Sequence, residues 1–290
     1  MIFRKAALKD LEYIFRWLKP KDYLRFGVLR LYIDKGNAYT VELDGKPIAI
    51  SIIHPVDNDG AWLMGARVEE GYRGRGVGKY MTSKLVEEAY RRGFRWVALM
   101  TSVDNKPVHK ICRDLDLNVR TKARWISIDK DKVFEIDLGS SYRIIHTPKD
   151  YLVEQLYNIL SSKGVMIPIH IELGIWSDPD REAIRDLIYR GWTICLSREG
   201  VDGGIALVNP REDRYTWYIG STVALIPHLT ERGIRDLFGC IAEQSIHNHF
   251  NDIEVIIVDK AEENKSNLEN IYSLSREKPW EAYIFYKKLR

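Results

Sequence analysis

Val68-Glu69-Glu70-Gly71-Tyr72-Arg73-Gly74-Arg75-Gly76-Val77-Gly78-Lys79 decides how this chain is read. It lies between a β-branched, apolar run at 61–68 and an amphipathic stretch at 77–92, in which Val77, Met81, Leu85 and Ala89 recur at spacing four. The spacing predicts a strand, a loop and a helix. A helix N-terminus presents N–H groups without intrahelical partners and the positive end of the helix dipole. Glycines at 74, 76 and 78 let backbone amides approach an anion with no Cβ in the way, and Arg73, Arg75 and Lys79 add positive charge beside them. The stretch is built for a phosphate.

Spacing narrows the ligand. A nucleotide P-loop needs a glycine five residues before Gly-Lys and a Ser or Thr after it; Arg73 and Tyr80 hold those places. The dinucleotide pattern G-x-G-x-x-G fails too, because Lys79 stands where its third glycine belongs. The pattern that fits is [Q/R]-x-x-G-x-[G/A], carried by Arg73, Gly76 and Gly78 after an apolar Val68 and an aromatic Tyr72. This resembles the acetyl-CoA motif of the GNAT family of N-acetyltransferases. A second stretch, Asn105-Lys106-Pro107-Val108-His109-Lys110-Ile111-Cys112-Arg113-Asp114-Leu115-Asp116-Leu117, resembles the family's N-x-P-S-x-K-x-x-x-K-L-G-F helix. It departs at Val108 for Ser, Asp116 for Gly and Leu117 for Phe. The resemblance covers residues 1 to about 138 and is densest over 61–117.

The resemblance implies an α/β protein whose N-terminal half has the GNAT fold around a mixed sheet. It implies acetyl-CoA as co-substrate with no metal, and acetyl transfer to a primary amine of a small molecule or protein. Backbone groups at Ala66, Arg67 and Val68 would hold the pantetheine arm between two splayed strands. Arg73, Gly74, Arg75, Gly76, Val77, Gly78 and Lys79 would hold the pyrophosphate, and Asn105 would face the arm. An N–H near Val68 would polarise the acetyl carbonyl.

The acid and base are less well marked. The family's proton-donating Tyr aligns with Cys112, which makes Cys112 the candidate acid; its helical face, shared with Val108, Ile111 and Leu115, favours a core role. The glutamate some members carry on the fourth strand aligns with Trp62. Glu69, Glu70 and His54 are near in sequence, and none is assignable as base. The missing Tyr and Glu leave an alternative function, an acyl-CoA-binding or sensing module without turnover.

Outward from the loop, the first half reads as strand 2–8, helices 9–19 and 22–34, and strands 38–43 and 47–53 joined by Asp44-Gly45, a hairpin signal. After the helix come strand 96–103, helix 106–116, and strands 118–128 and 133–138. The Gly, Ser, Pro and charge of 139–149 mark a boundary, giving domains at 1–140 and 145–290. The second half offers helix 180–190, strands 192–198, 204–208 and 215–225, helix 230–249, strand 253–258, helix 261–274 and strand 280–287. A shift of about 158 residues sets Val97 on Val255 and Val68 on Ile226, an internal duplication. Where the glycine loop would recur stands Ile226-Pro227-His228-Leu229-Thr230-Glu231-Arg232-Gly233, with one glycine and an acid. The second half therefore reads as a degenerate GNAT-like α/β domain without the CoA loop, with an acceptor-site or interaction role.

Of the 290 residues, 45% are hydrophobic and 29% charged, as in globular domains with a core. Net charge is +3, with 44 basic residues interleaved among 41 acidic ones, which argues against a nucleic-acid partner. No apolar run approaches the ~20 residues of a membrane helix, and the first residues carry no export signal, so a cytoplasmic location is expected. Cys112, Cys195 and Cys240 form no C-x-x-C pair, which argues against a disulfide framework or thiolate metal site. His247 and His249 lack further ligands at metal spacing. Two glutamines against abundant Lys, Arg and Glu is a thermophile-like usage. Oligomeric state is left open.

Overall fold

A computed structural model describes residues 1–56, 59–129, 132, 142–145, 149–164, 166–170, 174–190, 192–197, 205–208, 220–226, 231–248, 252–259, 272, 275 and 277–289. The chain forms two compact units: Met1–Asn118 with Phe285–Arg290, and Val119–Ile284.

The first unit is built from β1 Ile2–Lys5, α1 Asp10–Trp17, α2 Val28–Asp34, β2 Ala38–Leu43, β3 Lys46–Val56, β4 Gly60–Val68, α3 Val77–Arg91, β5 Trp96–Ser102 and α4 Lys106–Asp114. Its sheet runs β1-β2-β3-β4-β5, antiparallel throughout except for the parallel pair β4/β5. The Asp44-Gly45 hairpin forms as read, with both residues at positive φ (50° and 76°), the geometry whose twist matches the strands it joins. The spacing-four face of α3 forms as read as well, with Val77, Met81, Leu85 and Ala89 all buried. Polar ties fix the elements around the core. The Arg4 guanidinium donates to both oxygens of Asp10 (2.7 and 2.9 Å) and to Glu42 (2.7 Å), joining β1, α1 and β2. Burial works to raise the Asp10 carboxyl, but Arg4 and the Ala7 N–H outweigh it and hold it below its ordinary value.

The first unit is not contiguous in sequence. Tyr286 stacks on Trp96, Phe285 lies against His109, Lys287 Nζ donates to Leu115 O at 2.8 Å, and Leu289 N donates to Arg95 O at 2.7 Å. The end of the chain thus packs on β5 and α4.

The second unit holds β6 Asn118–Asp129, β7 Tyr142–Ile145, α5 Asp150–Lys163, β8 Ile167–His170, β9 Ile175–Ser177, α6 Arg181–Tyr189, β10 Thr193–Ser197, β11 Ile205–Val208, β12 Gly220–Ile226, α7 Glu231–Asn248 and β13 Asp252–Asp259. β14, Trp280–Lys288, belongs to this unit up to Ile284. The sheet order β7-β10-β11-β12-β13-β6 repeats the logic of the first unit. An opening strand and two helices precede three antiparallel strands, a helix, and a strand parallel to the last of the three. Val68 and Ile226, matched by the sequence shift, each end the strand before the connecting helix. The strand read at 133–138, the turn at 200–203, the loop at 227–230 and most of the helix read at 261–274 lie outside the described residues. The segment read as a boundary carries β7, because Tyr-Arg-Ile-Ile is a short strand-forming run hidden between turn residues.

One reading is corrected. Cys195 on β10 and Cys240 on α7 form a disulfide, both fully buried among Ile126, Ala206, Phe238 and Ile253. The absence of C-x-x-C excludes only a local motif; the fold lays α7 on β10 and brings together residues 45 apart. Ser197 Oγ, donating to Asp236 Oδ2 at 2.8 Å, marks the same contact. Closing a loop of that length stabilises by about 4 kcal/mol in the chain-entropy account. Cys240→Ser should therefore lower the unfolding free energy of this unit by about 2–4 kcal/mol. In urea denaturation, dithiothreitol should shift the wild-type transition and leave the variant's unmoved.

Candidate functional site

The site begins where two strands part. β4 and β5 pair only at Gly60–Trp96, Ala61–Val97 and Trp62–Ala98, although β4 continues to Val68 and β5 to Ser102. Beyond Trp62 the two facing edges carry backbone N–H and C=O groups with no strand between them. Such an edge is a template for an extended ligand. In the second unit the corresponding pair, β12/β13, stays in register from Gly220–Asp252 through Leu225–Ile257, so no gap opens there.

A bulge on β4 accompanies the parting. The register runs Ile50–Arg67 and then Ile52–Met64, so β4 spends an extra residue opposite β3. Gly65 sits in the bulge at φ +66°, and Ser51 Oγ donates to the Met64 carbonyl beside it at 3.0 Å. A bulge bends its strand and sharpens the local twist, which turns the far half of β4 away from β5. Gly65 is required twice over. Its backbone is left-handed, and a Cβ would stand 3.0 Å from Leu24 Cδ2 and 3.3 Å from the Tyr23 hydroxyl. The motif reading named Ala66, Arg67 and Val68 and missed Gly65; a lone glycine inside a strand pattern was its available signal.

The loop after β4 is the stretch read as a phosphate cradle. Gly74 and Gly76 have φ of +74° and +82°, with open space where their Cβ atoms would be, whereas Gly78 would place a Cβ in ordinary contact with Ile111 and Val68. The first helical bond of α3 is Tyr80 N to Gly76 O at 2.9 Å. The N–H groups of Val77, Gly78 and Lys79 are therefore left for another acceptor. Arg73 Nε donates to Val68 O at 3.1 Å, folding the loop onto the end of β4, and the Arg75 guanidinium lies 5.7 Å from the Tyr72 ring centre. Lys79 does not stand free: its ammonium bonds Asp114 on α4 at 2.7 Å and holds that carboxyl below its ordinary value. The positive charge of the loop thus rests on Arg73, Arg75 and the helix end.

Across the gap, Asn105 precedes α4 and its Nδ2 donates to Thr101 Oγ1 at 2.9 Å, anchoring the helix to the end of β5. His109 is buried and hydrogen-bonded to Ser102 O at 3.0 Å. Cys112 is fully buried, and burial pushes its thiol up to about 12. Trp62 is core. Glu69 accepts from Tyr13 at 3.4 Å, and His54 shares a hydrogen bond of 2.5 Å with the Tyr32 hydroxyl, itself pushed up to about 12 by burial and the neighbouring Tyr23.

Near the bulge lies a cavity of about 350 Å³ lined by Lys19, Lys21, Asp22, Tyr23 and Arg67. Its walls are held. Arg25 donates to Phe15 O and Leu18 O (2.7 Å for the latter), capping the C-terminus of α1, and Arg67 Nε donates to Asp22 Oδ2 at 2.7 Å. Among the described residues no cluster of metal-ligating side chains occurs, and no helix is long and apolar enough to cross a membrane.

Parted strands, a bulge, a glycine cradle at a helix start and a flanking asparagine define a fold class, and comparison with known proteins assigns it. Residues 6–115 match the sequence model of the Acetyltransferase (GNAT) family, so the first unit carries a GNAT acetyltransferase domain, of a family of acyl-group transferases. The chain is similar in fold to a candidate acetyltransferase from Thermoplasma acidophilum, at 11% identity and TM-score 0.57, covering 99% of this chain and 100% of that one. It is also similar to a GCN5-related N-acetyltransferase from Sphaerobacter thermophilus (12% identity, TM-score 0.56, 100% and 96% covered) and to one from Kribbella flavida (15%, 0.52, 99% and 72%).

The bulge is open to test. Gly65→Ala should destabilise the first unit by about 2 kcal/mol through left-handed strain and crowding against Leu24. Gly71→Ala, at an ordinary φ with open space around it, should leave stability unchanged or slightly raised in the same urea titrations.

Proposed function

We propose that the protein is an acetyl-CoA-dependent N-acetyltransferase acting on a primary amine. The observation that carries this reading is the early end of β4/β5 pairing, which leaves two open backbone edges leading to the bare amides of Val77, Gly78 and Lys79. A long ligand with an amide-bearing arm and a pyrophosphate has the chemistry those two features address. The residues fit it: edges to pair an arm, glycines that clear space, and Arg73 and Arg75 at the phosphate end.

Acetyl-CoA supplies an activated thioester, so transfer forms a C–N bond, breaks a C–S bond and moves one proton, net, from the amine to the sulfur. What the chain adds is placement. An N–H near Val68 would polarise a carbonyl lying along β4. Leu63 and Met64 on β4 and Leu99 on β5 are buried beside the gap, which keeps its flanks dry. Cys112 is a poor donor. Burial holds its proton well above the ordinary thiol range, so a proton from solvent or from a Tyr would serve the sulfur instead.

Titration calorimetry should find one acetyl-CoA per chain, because β12/β13 stays closed. Gly76→Asp, which sets a carboxylate at the cradle, should weaken binding by at least ~2 kcal/mol, roughly thirtyfold. Undiminished affinity with the fold intact would sink the assignment. Turnover is read by thiol release with an amine panel; binding without any release would make the protein an acyl-CoA-binding module instead. Cys112→Ala should leave turnover within a few-fold; a loss near the ~10²-fold typical of a missing general acid, with binding retained, would overturn that part.

A further inference from the structure

We infer that the cavity near the β4 bulge is an anion-binding subsite, and that the acceptor is a small amine carrying a carboxylate or phosphate group. This inference rests on the proposed acetyl transfer. The cavity adjoins the β4 bulge, because Tyr23, which lines it, has its hydroxyl 3.3 Å from the place of a Cβ on Gly65. Its lining holds three cationic side chains and one carboxylate.

The carboxylate is already committed. Asp22 Oδ2 accepts from Arg67 Nε at 2.7 Å, while Oδ1 accepts from Leu24 N at 3.1 Å and from Arg67 Nη2 at 3.4 Å. Arg67 is fixed in turn, donating to Ala66 O at 3.0 Å and lying 5.6 Å from the centre of the Tyr23 ring. The Asp22–Arg67 pair thus builds the wall and cancels its own charge. The ammonium groups of Lys19 and Lys21 make no ion pair or hydrogen bond among the described residues. They are the charge left over.

Two uncommitted cations over one cavity favour an anion and disfavour a second cationic end. A unit charge 4 Å from an ammonium gains or loses about 1 kcal/mol in bulk water and about 4 at the effective dielectric of a protein surface. A polyamine would meet that repulsion at its distal nitrogen. The volume, about 350 Å³, is at the small end for ligand sites, which suits an acceptor of few atoms between amine and anion.

The test uses matched pairs that differ in the anion: cadaverine against L-lysine for a carboxylate, ethanolamine against O-phosphoethanolamine for a phosphate. With the full chain and saturating acetyl-CoA, thiol release should give the carboxylate- or phosphate-bearing member of at least one pair a kcat/KM tenfold or more above the member that lacks that group. The pair that responds identifies which anion fits. Lys19→Glu/Lys21→Glu, checked for folding by thermal unfolding, should cut that ratio at least tenfold. Equal use of both members, or a ratio the double variant does not move, overturns the inference. If no amine turns over, calorimetric titration of L-lysine and O-phosphoethanolamine into the CoA-loaded protein decides. Binding lost in the double variant upholds the subsite, and no binding of either overturns it. Failure of the protein to bind acetyl-CoA would instead sink the proposed function, and the same two titrations into free protein would still read the cavity.

Discussion

The left-handed backbone at Gly65 is the constraint on which the first unit's site depends. It admits an extra residue into β4, and the bend that follows ends pairing with β5 after Trp62–Ala98. The features of the candidate site adjoin that bend. Among them are the unpaired edges that lead to the glycine cradle, and Tyr23 and the cavity with Arg67. A strand that ran straight would have closed onto β5 along its length, burying its amides in a ladder and leaving nothing for a ligand to bond.

The second unit is the control that the chain itself supplies. It has the same order of strands and helices, yet β12 and β13 remain zipped through Leu225–Ile257. Its interior is also fastened differently. Where the first unit relies on surface-reaching ties such as Arg4 with Asp10 and Glu42, the second locks its helix to its sheet by the buried Cys195–Cys240 bond and by Ser197 on Asp236. A cross-link between α7 and β10 is compatible with a closed sheet, whose helix need not shift to admit a ligand. One topology thus yields an open sheet and a closed one, and the difference lies in the backbone of one strand.

How much of this the sequence disclosed follows from the range of each interaction. Asp44-Gly45 and the α3 face of Val77, Met81, Leu85 and Ala89 are local, and both were legible to within a residue or two. The cradle was legible because the glycines, the charges and the following helix are contiguous. Gly65 was not, since a glycine in a strand says that something is unusual without saying what. Cys195 with Cys240, and Asp22 with Arg67, are pairs that only the assembled sheet brings together, 45 residues apart in each case. The return of Phe285 to Leu289 onto Trp96, His109 and Leu115 has the same character at longer range. β7 was hidden for a different reason: four strand-forming residues between turn residues carry too short a period to stand out.

The chemistry follows from what the gap lacks as much as from what it holds. Trp62 occupies the core where some relatives in the resemblance carry a carboxylate, and the thiol of Cys112 sits fully buried and hard to ionise. Neither offers a proton route. An acyl transfer to an amine, however, has a good leaving group and a good nucleophile once the amine is neutral, and its main barrier is bringing the two together in the right orientation. Fixing two reactants in that way supplies about 7–11 kcal/mol in favourable cases, more than an added acid or base usually contributes. On the proposed reading, the gap and the cavity lined by Lys19, Lys21 and Arg67 are the parts such a mechanism needs. On this view the chain's specificity and its catalysis are one problem, set by how an acceptor lies between Lys19, Lys21 and the open edge of β4.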